Sequence, residues 1–439
     1  MKTFQDYNML YGFPEVEFEK GYIVGTYQVI SDTKNAEKLA MAIADEQTTG
    51  TWVKVKYETM EKKKRFGGKV LSIYRIPPID PYQKMDEEMY IVQIGFPSAN
   101  FAPDMSMLLT TVIGNISSSG KIKLIDLALP KDFVDKFQGP KFGIQGIRDC
   151  LGVYDRPLLN CMIKPCLSWT PDEGAELFYE SAVGGVDIVK DDELLSADMP
   201  FCPMKERVTK FMEKERQAFE ETGEHTLYTV NITTDPANLK ESAYRALEYG
   251  ANALMVNFYT VGLAGARMIT EDPNINVPVL AHVDFAGATV SSPYHGVDPM
   301  LWIGKLSRLA GADMEIFGQP SGKFPNSRLA LSRGAHAFTQ EWYNIKPTLI
   351  LPGGGTIPSS VPEILKVLGE DVCLAAGGGV HGHPMGSRAG ARAMRQSIDA
   401  CMKGISLKEY AETHEELDAA LKAWGYDAED AKKNYDLMK

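Results

Sequence analysis

A lysine and three acids stand together at the end of an apolar, β-prone stretch of this chain. Residues 184–193 read GGVDIVKDDE. Because side chains alternate across a strand, Lys190 and Asp192 share one face and Asp191 takes the other. Glu193 follows where the strand gives way to a loop. Carboxylate oxygens are ligands of hard cations such as Mg²⁺, so this segment predicts one edge of a metal site.

Lys190 is not a metal ligand in its ordinary form, because an ammonium group has only hydrogen-bond donors. Reaction of the neutral amine with CO2 would give a carbamate, whose oxygens are anionic ligands. A run of charged residues is more often a solvated loop. Here the run is fused to the apolar stretch 186–189 and preceded by a Gly-Gly pair, and both features favour a site.

Eight short apolar strands that alternate with helical segments are predicted to position these groups. They cover 158–164, 186–192, 227–232, 253–259, 277–284, 314–318, 348–351 and 372–376. Eight strand–helix units in about 270 residues match a (β/α)8 barrel, in which the carboxyl ends of the strands carry the chemistry. Polar residues do stand at the predicted strand ends, among them Lys164, Asn231, Asn257, His282 and Asp284.

The chain preceding the barrel mixes strands and helices, as an α+β domain does. Strands are predicted at 22–30, 52–57, 69–76 and 88–95, helical stretches at 35–46 and 101–113, and a solvated loop at 62–65. A chain of 439 residues fits two domains. We expect an N-terminal α+β domain over 1–138, the barrel over 139–425 and a tail over 426–439.

Bulk composition excludes several classes of function. Acids outnumber bases 58 to 46, for a net charge of −12, which argues against binding nucleic acid or an anionic membrane. The six cysteines form neither a CxxC pair nor a zinc spacing. No run approaches the roughly 20 apolar residues of a membrane span, and no signal peptide is apparent. We expect a cytoplasmic protein.

Two glycine triplets follow the seventh and eighth predicted strands. Glycine lets backbone N–H groups approach an anion closely, and the loops after these two strands form a recurring phosphate site in barrels. The alternative is two tight turns that need positive φ. We expect phosphate binding by the loops 353–355, Gly354 included, and 377–379.

These segments together resemble the RuBisCO large-subunit superfamily. The likeness is carried by 184–193 and Ile163-Lys164-Pro165, and it runs in the family's order from about residue 20 to about 425. It extends to EQTTGTW at 46–52, GPKFG at 139–143, GQPSGK at 318–323 and AGGGVHGHPMG at 376–386. The resemblance implies an N-terminal α+β domain, a (β/α)8 barrel, and Mg²⁺ held by carbamylated Lys190, Asp192 and Glu193.

The resemblance also implies how a phosphorylated small-molecule substrate is bound. Gly355, Gly377 and Gly378 would hold its phosphate, and Lys323 would close over it from a mobile loop after strand six. The family further implies a homodimer with shared active sites, in which each subunit contributes to its partner's site Glu46, Thr51, Trp52 and Asn115.

Five positions depart from the carboxylases of this family. The arginine, histidine and serine of a second phosphate site are matched by Phe285, Ile316 and Gly353, so a dianion there would lose charge-assisted bonds of about 1.5–3 kcal/mol each. Cys166 and Asp284 stand where a lysine and a histidine take part in carboxylation. The pattern resembles the form IV RuBisCO-like proteins, and it predicts a substrate with one phosphate and no CO2 fixation.

Within that group the chain is most similar to the 2,3-diketo-5-methylthiopentyl-1-phosphate enolases of methionine salvage. Segments 120–126, 139–143, 281–282 and 378–384 carry this likeness. Those enolases have a proton-abstracting lysine at the position of Asn115 and tend to lack the loop lysine that is present here as Lys323. The activity of a related sugar-phosphate enolase, isomerase or decarboxylase is therefore an alternative.

The retained residues suit enolisation. A metal would polarise a carbonyl and stabilise the enolate formed by proton loss at the next carbon. Lys164 would donate a proton or stabilise the oxyanion, while the base is left open among the Lys190 carbamate, Asp284 and Lys164. His282 would support the site, and His381 and His383 would shape a loop.

The leading hypothesis is thus a Mg²⁺-dependent enolase, tautomerase or isomerase acting on a monophosphorylated keto compound. A decarboxylase that reaches the same enolate from a β-keto acid phosphate is the alternative. Residual ribulose-bisphosphate carboxylation and a non-catalytic scaffold are weaker hypotheses, because Cys166 and Asp284 oppose the first and the intact metal triad opposes the second.

Overall fold

The computed structural model describes residues 11–31, 35–51, 53, 55–78, 87–323, 325–427 and 430. The chain divides into two compact units. The first comprises Met1–Gln138 with Phe285–Leu306, and the second comprises Gly139–Asp284 with Ser307–Lys439. The domain limits expected from the sequence stay a proposal. In the expected tail, residues 428, 429 and 431–439 lie outside the described residues.

A five-stranded sheet organises the first unit. From edge to edge its strands are Gly296–Val297, Lys121–Ala128, Tyr22–Ser31, Glu88–Pro97 and Lys69–Ile76. The four long strands pair antiparallel, and the two-residue strand pairs parallel with its neighbour. Apolar side chains of the central strand, such as Ile23 and Tyr27, are fully buried. The predicted α+β character of this part of the chain is confirmed.

Short helices accompany this sheet. They are Pro14–Glu19, Ala36–Glu46, Met60–Phe66, Met105–Ile113, Lys131–Val134 and Gly287–Val290, with 3₁₀ turns at Ser98–Asn100 and Asn115–Ser118 and a π-helical segment at Met300–Leu306.

Three sequence-based assignments in this unit were wrong. The predicted loop 62–65 lies inside the helix Met60–Phe66, whose start is capped by Thr59 accepting from the Lys62 N–H. Between 52 and 57 the described residues form no strand, and residues 52 and 54 lie outside them. The strand Lys121–Ala128 was not predicted, because its alternation breaks at the adjacent pair Leu124 and Ile125.

Eight parallel strands form the barrel of the second unit. In chain order they are Leu158–Met162, Ile188–Lys190, Leu227–Asn231, Ala253–Asn257, Val279–His282, Met314–Phe317, Leu349–Pro352 and Cys373–Ala375. Each pairs with the next, the eighth pairs with the first, and a bridge between Ile350 and Val372 joins the seventh to the eighth. The predicted (β/α)8 fold is confirmed, with strand ends that differ from the predicted ones by a few residues.

Alternation along each barrel strand decides which side chains fill the interior. Leu158, Ile188, Leu227, Met255 and Leu280 belong to one buried apolar cluster. Counting onward in steps of two along each strand from these positions reaches the polar residues at or just past the strand ends. The apolar core therefore ends in a polar layer at the carboxyl edge of the sheet.

Helices surround the barrel. They are Gly143–Leu151, Pro171–Val183, Met204–Thr222, Pro236–Glu248, Phe258–Val261, Leu263–Thr270, Ser307–Leu309, Arg328–Thr339, Val361–Leu368, Gly378–His381, Ser387–Lys403, Leu407–Ala411 and Glu415–Trp424. A 3₁₀ turn at Pro358–Ser360 and a small hairpin, Asp198–Met199 with Cys202–Pro203, complete the unit. Within the described part of the chain, no helix is long and apolar enough to cross a membrane.

Candidate active site

Consecutive barrel strands bring polar side chains to one edge of the barrel. The first strand leads into Lys164, the second ends at Lys190, and the third, fourth and fifth end at Asn231, Asn257 and His282. Parallel strands present their carboxyl ends at the same edge, so residues far apart in sequence come together there.

Lys190 is almost completely buried, with 1% of its side chain exposed. Its ammonium donates to the backbone oxygen of Asp191 at 2.8 Å and lies 3.3 Å from Glu193 Oε2. Ile188, two residues earlier on the same face, belongs to the barrel core. A buried amine with one carboxylate neighbour is therefore held at the top of the apolar interior.

Asp191 contacts groups on the other side of the strand, as the predicted alternation requires. Its carboxylate accepts from the Tyr228 hydroxyl at 2.6 Å and from the Asn231 N–H at 2.9 Å. Arg207 Nη2 lies 3.2 Å away, and both members of this ion pair are fully buried. Burial and then the charge of Asp191 raise the pKa of Tyr228 well above its usual value. Asp191 is thus part of a buried structural network.

Asp192 is also fully buried, but its carboxylate bonds Lys164. Lys164 Nζ lies 2.6 Å from Asp192 Oδ2 and 3.0 Å from Cys166 Sγ. Burial opposes the charge on Lys164, yet hydrogen bonds to Asp192 and Cys166 outweigh it and raise the pKa of Lys164. Lys164 is therefore held as an ammonium group. No pattern in the sequence indicated the contact between Lys164 and Cys166.

Glu193 has His282 as its second neighbour, with Nε2 of the ring 3.3 Å from Glu193 Oε2. His282 Nδ1 accepts from the Asp284 N–H at 3.2 Å, so the neutral ring carries its proton on Nε2 and faces Glu193 with a donor. Burial opposes ionisation of Glu193, but the His282 bond and the charge of Lys190 hold its pKa well below the usual range. Burial in turn lowers the pKa of His282.

Two asparagines fix the backbone of the acidic loop. Asn231 Nδ2 donates to the backbone oxygens of Asp192 and Glu193, each at 3.2 Å. Asn257 Nδ2 donates to the same Glu193 oxygen at 3.2 Å. The sequence placed both asparagines at strand ends but gave them no role. The position of each asparagine at the end of a buried strand was the feature of the sequence that could have indicated a role at the site.

The oxygen atoms at this edge suffice to bind a hard divalent cation only if Lys190 supplies a further ligand. Among the described residues, no three His, Cys, Asp or Glu side chains form a group able to hold a metal ion. Asp192 and Glu193 could supply two oxygen ligands, and the carboxylate of each is paired with an ammonium group. A carbamate on Lys190 would convert one of those ammonium groups into the missing anionic ligand.

The loops after the sixth and seventh strands contact each other. The Lys323 N–H donates to the Gly354 oxygen at 2.8 Å, while the Lys323 side chain is exposed. Gly322, Gly354 and Gly355 have φ of 104°, 93° and 97°, which side chains rarely adopt. A Cβ on Gly322 would also lie 2.4 Å from the Gly354 oxygen. Glycine is therefore required at this contact.

The eighth strand leads into Gly377 and Gly378, which differ in their surroundings. A Cβ on buried Gly377 would lie 2.6 Å from Met162 Sδ and 3.2 Å from Lys164 Cε. A Cβ on exposed Gly378 would meet nothing within 4 Å. The first glycine thus packs directly against the lysine of strand one, and the second faces open space.

Two histidines follow this glycine loop and bind other parts of the unit. His381 lies 3.2 Å from Cys161 Sγ and 2.9 Å from Ser387 Oγ, and burial lowers its pKa to about 4. His383 lies 2.9 Å from the Glu416 oxygen. These contacts are consistent with the loop-shaping role expected from the sequence.

Of the remaining predicted site residues, Glu46, Thr51 and Asn115 belong to the first unit, and half-buried Asp284 follows the fifth barrel strand in the second. In the first unit, Asn115 Nδ2 donates to Glu46 Oε1 at 3.0 Å, and Thr51 is exposed. Trp52 lies outside the described residues.

Of the residues matching the second phosphate site, Phe285 belongs to the first unit and Ile316 to the second. Phe285 is 63% exposed, with a φ of 70° that is uncommon for a bulky residue. Ile316 is part of the apolar barrel cluster, and it offers no polar group to an anion.

Comparison with known proteins adds the family context. The family model for the ribulose bisphosphate carboxylase large chain, catalytic domain, matches residues 143–424, and the one for its N-terminal domain matches 13–133. A ribulose bisphosphate carboxylase-like protein of Archaeoglobus fulgidus is 48% identical over 414 residues, covering 93% of this chain and 94% of that protein.

Two further relatives carry more specific names. A 2,3-diketo-5-methylthiopentyl-1-phosphate enolase of Geobacillus thermodenitrificans is 38% identical over 412 residues, covering 92% of this chain and 98% of that protein. The crystal structure of a rubisco-like protein (MtnW) from Alicyclobacillus acidocaldarius has a TM-score of 0.85 at 36% identity, covering 92% of this chain and 100% of that one.

Proposed function

The chain belongs to the ribulose bisphosphate carboxylase large chain family, and we propose that it enolises a monophosphorylated keto compound with Mg²⁺ rather than fixing CO2. The observation that carries this proposal is the pairing of Lys164 with Asp192 and of Lys190 with Glu193 at the barrel edge. Two acids and two amines at one strand edge suit charge development on a carbonyl oxygen.

The carbamate of Lys190, Asp192 and Glu193 would hold the metal, and Asn231 and Asn257 would keep the backbone of these acids in place. When bound, Mg²⁺ supplies Lewis-acid polarisation of a carbonyl group. His282 orients the Glu193 carboxylate by its bond to Oε2.

Lys164 and Asp284 have the two proton-transfer roles of the reaction. Since its pKa is raised by Asp192 and Cys166, Lys164 suits the role of a proton donor to the developing oxyanion better than that of a base. A carbamate on Lys190 would be committed to the metal. We therefore assign the abstraction of the α-proton to Asp284, a half-buried carboxylate that follows the fifth barrel strand.

The substrate class follows from what the anion sites offer. The glycine loops at 353–355 and 377–379 supply backbone N–H groups for one phosphate, and Lys323 adds a positive charge next to the first loop. At the positions of the second phosphate site stand Ile316 and Phe285, which have no polar side-chain atom. The relatives named as diketo-methylthiopentyl-phosphate enolases make that compound the first substrate to try.

Solvent exchange tests the proposal. The protein, Mg²⁺ and bicarbonate are incubated in D2O with 2,3-diketo-5-methylthiopentyl-1-phosphate and a panel of ketose monophosphates, and the α-proton signal is followed by NMR. We expect exchange or tautomerisation that needs Mg²⁺ and is lost in Lys190→Met and Asp284→Asn. Absence of exchange in every monophosphate would oppose the proposal, and release of CO2 from a β-keto acid phosphate would favour the decarboxylase.

We further propose a homodimer with shared active sites. The exposed Thr51 and the Asn115–Glu46 pair support it, because residues that match the family's shared site remain at the surface of their own unit. Mixing Lys190→Met protein with Asn115→Ala protein should restore part of the exchange activity if sites are shared. No recovery after subunit exchange would contradict this arrangement.

A further inference from the structure

Lys164 has a sulfur neighbour as well as a carboxylate neighbour. Its ammonium lies 3.0 Å from Cys166 Sγ and 2.6 Å from Asp192 Oδ2. Asp192 is fully buried, whereas Lys164 and Cys166 are partly exposed. The ammonium is therefore held from two sides, and one of its anchors is an acid of the proposed metal site.

The two anchors respond differently to a bound cation. A carboxylate that ligates a divalent ion attracts a nearby ammonium less, because the ion offsets its charge. The sulfur of Cys166 keeps its contact. Lysine has a flexible four-carbon stem and loses its direction when no acceptor holds its end. Under the proposed function, the importance of Cys166 for Lys164 therefore grows when the site is loaded.

Cys166 also differs from the other five cysteines. It is partly exposed, and its sulfur accepts a hydrogen bond from an ammonium group. Three of the other five, Cys161, Cys202 and Cys373, are buried. Reactive cysteines lie in partly exposed, electropositive surroundings, whereas buried cysteines are inert.

We propose that Cys166 is a positioning residue for Lys164, and that the same contact makes Cys166 the fastest-reacting thiol of this chain toward soft electrophiles. The first part rests on the proposed function. The second part concerns the metal-free protein alone. With iodoacetamide, the sulfur forms a bond to the methylene carbon, iodide leaves with the electron pair of the C–I bond, and the thiol proton passes to solvent.

Labelling of the metal-free protein tests the contact. Iodoacetamide is added at neutral pH, and the modification of each cysteine is followed by peptide mass spectrometry. We expect Cys166 to react at least about tenfold faster than Cys401, which is also partly exposed, and faster than the exposed Cys150. Lys164→Met should remove this advantage, and Lys164→Arg should keep it. A rate at Cys166 that is unchanged in Lys164→Met, or slower than at Cys401, overturns the proposal.

Kinetics of the solvent-exchange reaction test the positioning role. Cys166→Ser keeps a hydrogen-bond acceptor and should retain kcat within a few-fold. Cys166→Ala should lower kcat by about tenfold or more with little change in KM, because a misdirected ammonium affects the chemical step. Cys401→Ala is the matched control and should leave both constants unchanged. Equal kcat values for the alanine and serine variants at Cys166 would overturn the proposal that Cys166 positions Lys164.

The two experiments separate this proposal from the proposed function. If the wild-type protein exchanges no proton with any substrate, the proposed function fails, and the labelling rates still decide whether Lys164 activates Cys166. If exchange occurs while labelling contradicts the contact, the proposal about Cys166 fails alone.

Discussion

Asp191 and Asp192 are neighbours in sequence, yet their carboxylates bind cations on different barrel elements. Asp191 Oδ2 lies 3.2 Å from Arg207 Nη2, and Asp192 Oδ2 lies 2.6 Å from Lys164 Nζ. Arg207 is fully buried, while 31% of the Lys164 side chain is exposed. Asp191 therefore has a structural role, and under the proposed function Asp192 is a metal ligand.

Replacing the two acids should separate these roles. Asp191→Asn leaves the Arg207 guanidinium buried without its counter-charge, so we expect a loss of about 3–5 kcal/mol in the free energy of unfolding. Asp192→Asn leaves Lys164 unpaired, but that lysine is partly exposed to solvent, so the expected loss is smaller, about 1–2 kcal/mol, together with loss of activity. Urea unfolding of both variants gives the comparison. The opposite ranking of stabilities would contradict the assignment of faces.

Removing the Lys190 amine should abolish metal-linked stabilisation. In the wild-type protein, Mg²⁺ with bicarbonate at about 100 times its dissociation constant should stabilise the folded state by about 2.7 kcal/mol. In Lys190→Met the third oxygen ligand cannot form, so the shift in melting temperature should vanish. Lys366→Met, at an exposed position on the helix Val361–Leu368, is the control and should behave as wild type. An equal metal-induced shift in Lys190→Met would refute the carbamate.

Substitution by alanine should have different effects at the two glycines after strand eight. In Gly377→Ala the new methyl group would press on the flexible end of Met162 and on Lys164. We expect a stability loss of about 1 kcal/mol and a fall in kcat as Lys164 is displaced.

Gly378→Ala meets no neighbouring atom, so stability should be nearly unchanged while KM rises, because the methyl group takes up space beside the phosphate. Thermal unfolding and solvent-exchange kinetics measure both variants. A larger KM effect for Gly377→Ala than for Gly378→Ala would count against this phosphate position.

The titration of Asp313 should contribute to the pH dependence of the free energy of unfolding. This buried carboxyl accepts from the N–H groups of Phe142, Gly143 and Val279 at 2.6, 3.0 and 3.0 Å. Burial nevertheless raises its pKa from 3.8 to about 6. A raised acid pKa disfavours the ionised form in the folded state, so its contribution to stability is present at low pH and decreases as pH rises toward about 6.

Comparison with Asp313→Asn isolates this effect, since the variant has no titrating group at the site. Between about pH 5 and pH 8 the wild-type protein should lose about 1–1.5 kcal/mol of unfolding free energy relative to the variant. Urea unfolding at several pH values measures the difference. A constant difference over this range would show that burial does not perturb Asp313.

Much of the fold followed from local patterns in the sequence. Short apolar strands bounded by glycine or polar residues predicted all eight barrel strands, because burial on both faces demands continuous apolar runs. The N-terminal helix 36–46 and the strands 22–31 and 88–97 were found for similar local reasons. The strand Lys121–Ala128 was missed, because its two faces do not alternate along its full length.

The sequence by itself determined which residue types are present at the strand ends and, through alternation, that Lys190 and Asp192 face one way and Asp191 the other. Only the tertiary structure decided their partners. Contacts that no local pattern encodes bring Arg207, Tyr228 and Asn231 to the two aspartates, and His282 to Glu193, from later strands and helices. Closure of the barrel brings these separate strand ends to one edge, and a side chain's partner there depends on the register of neighbouring strands.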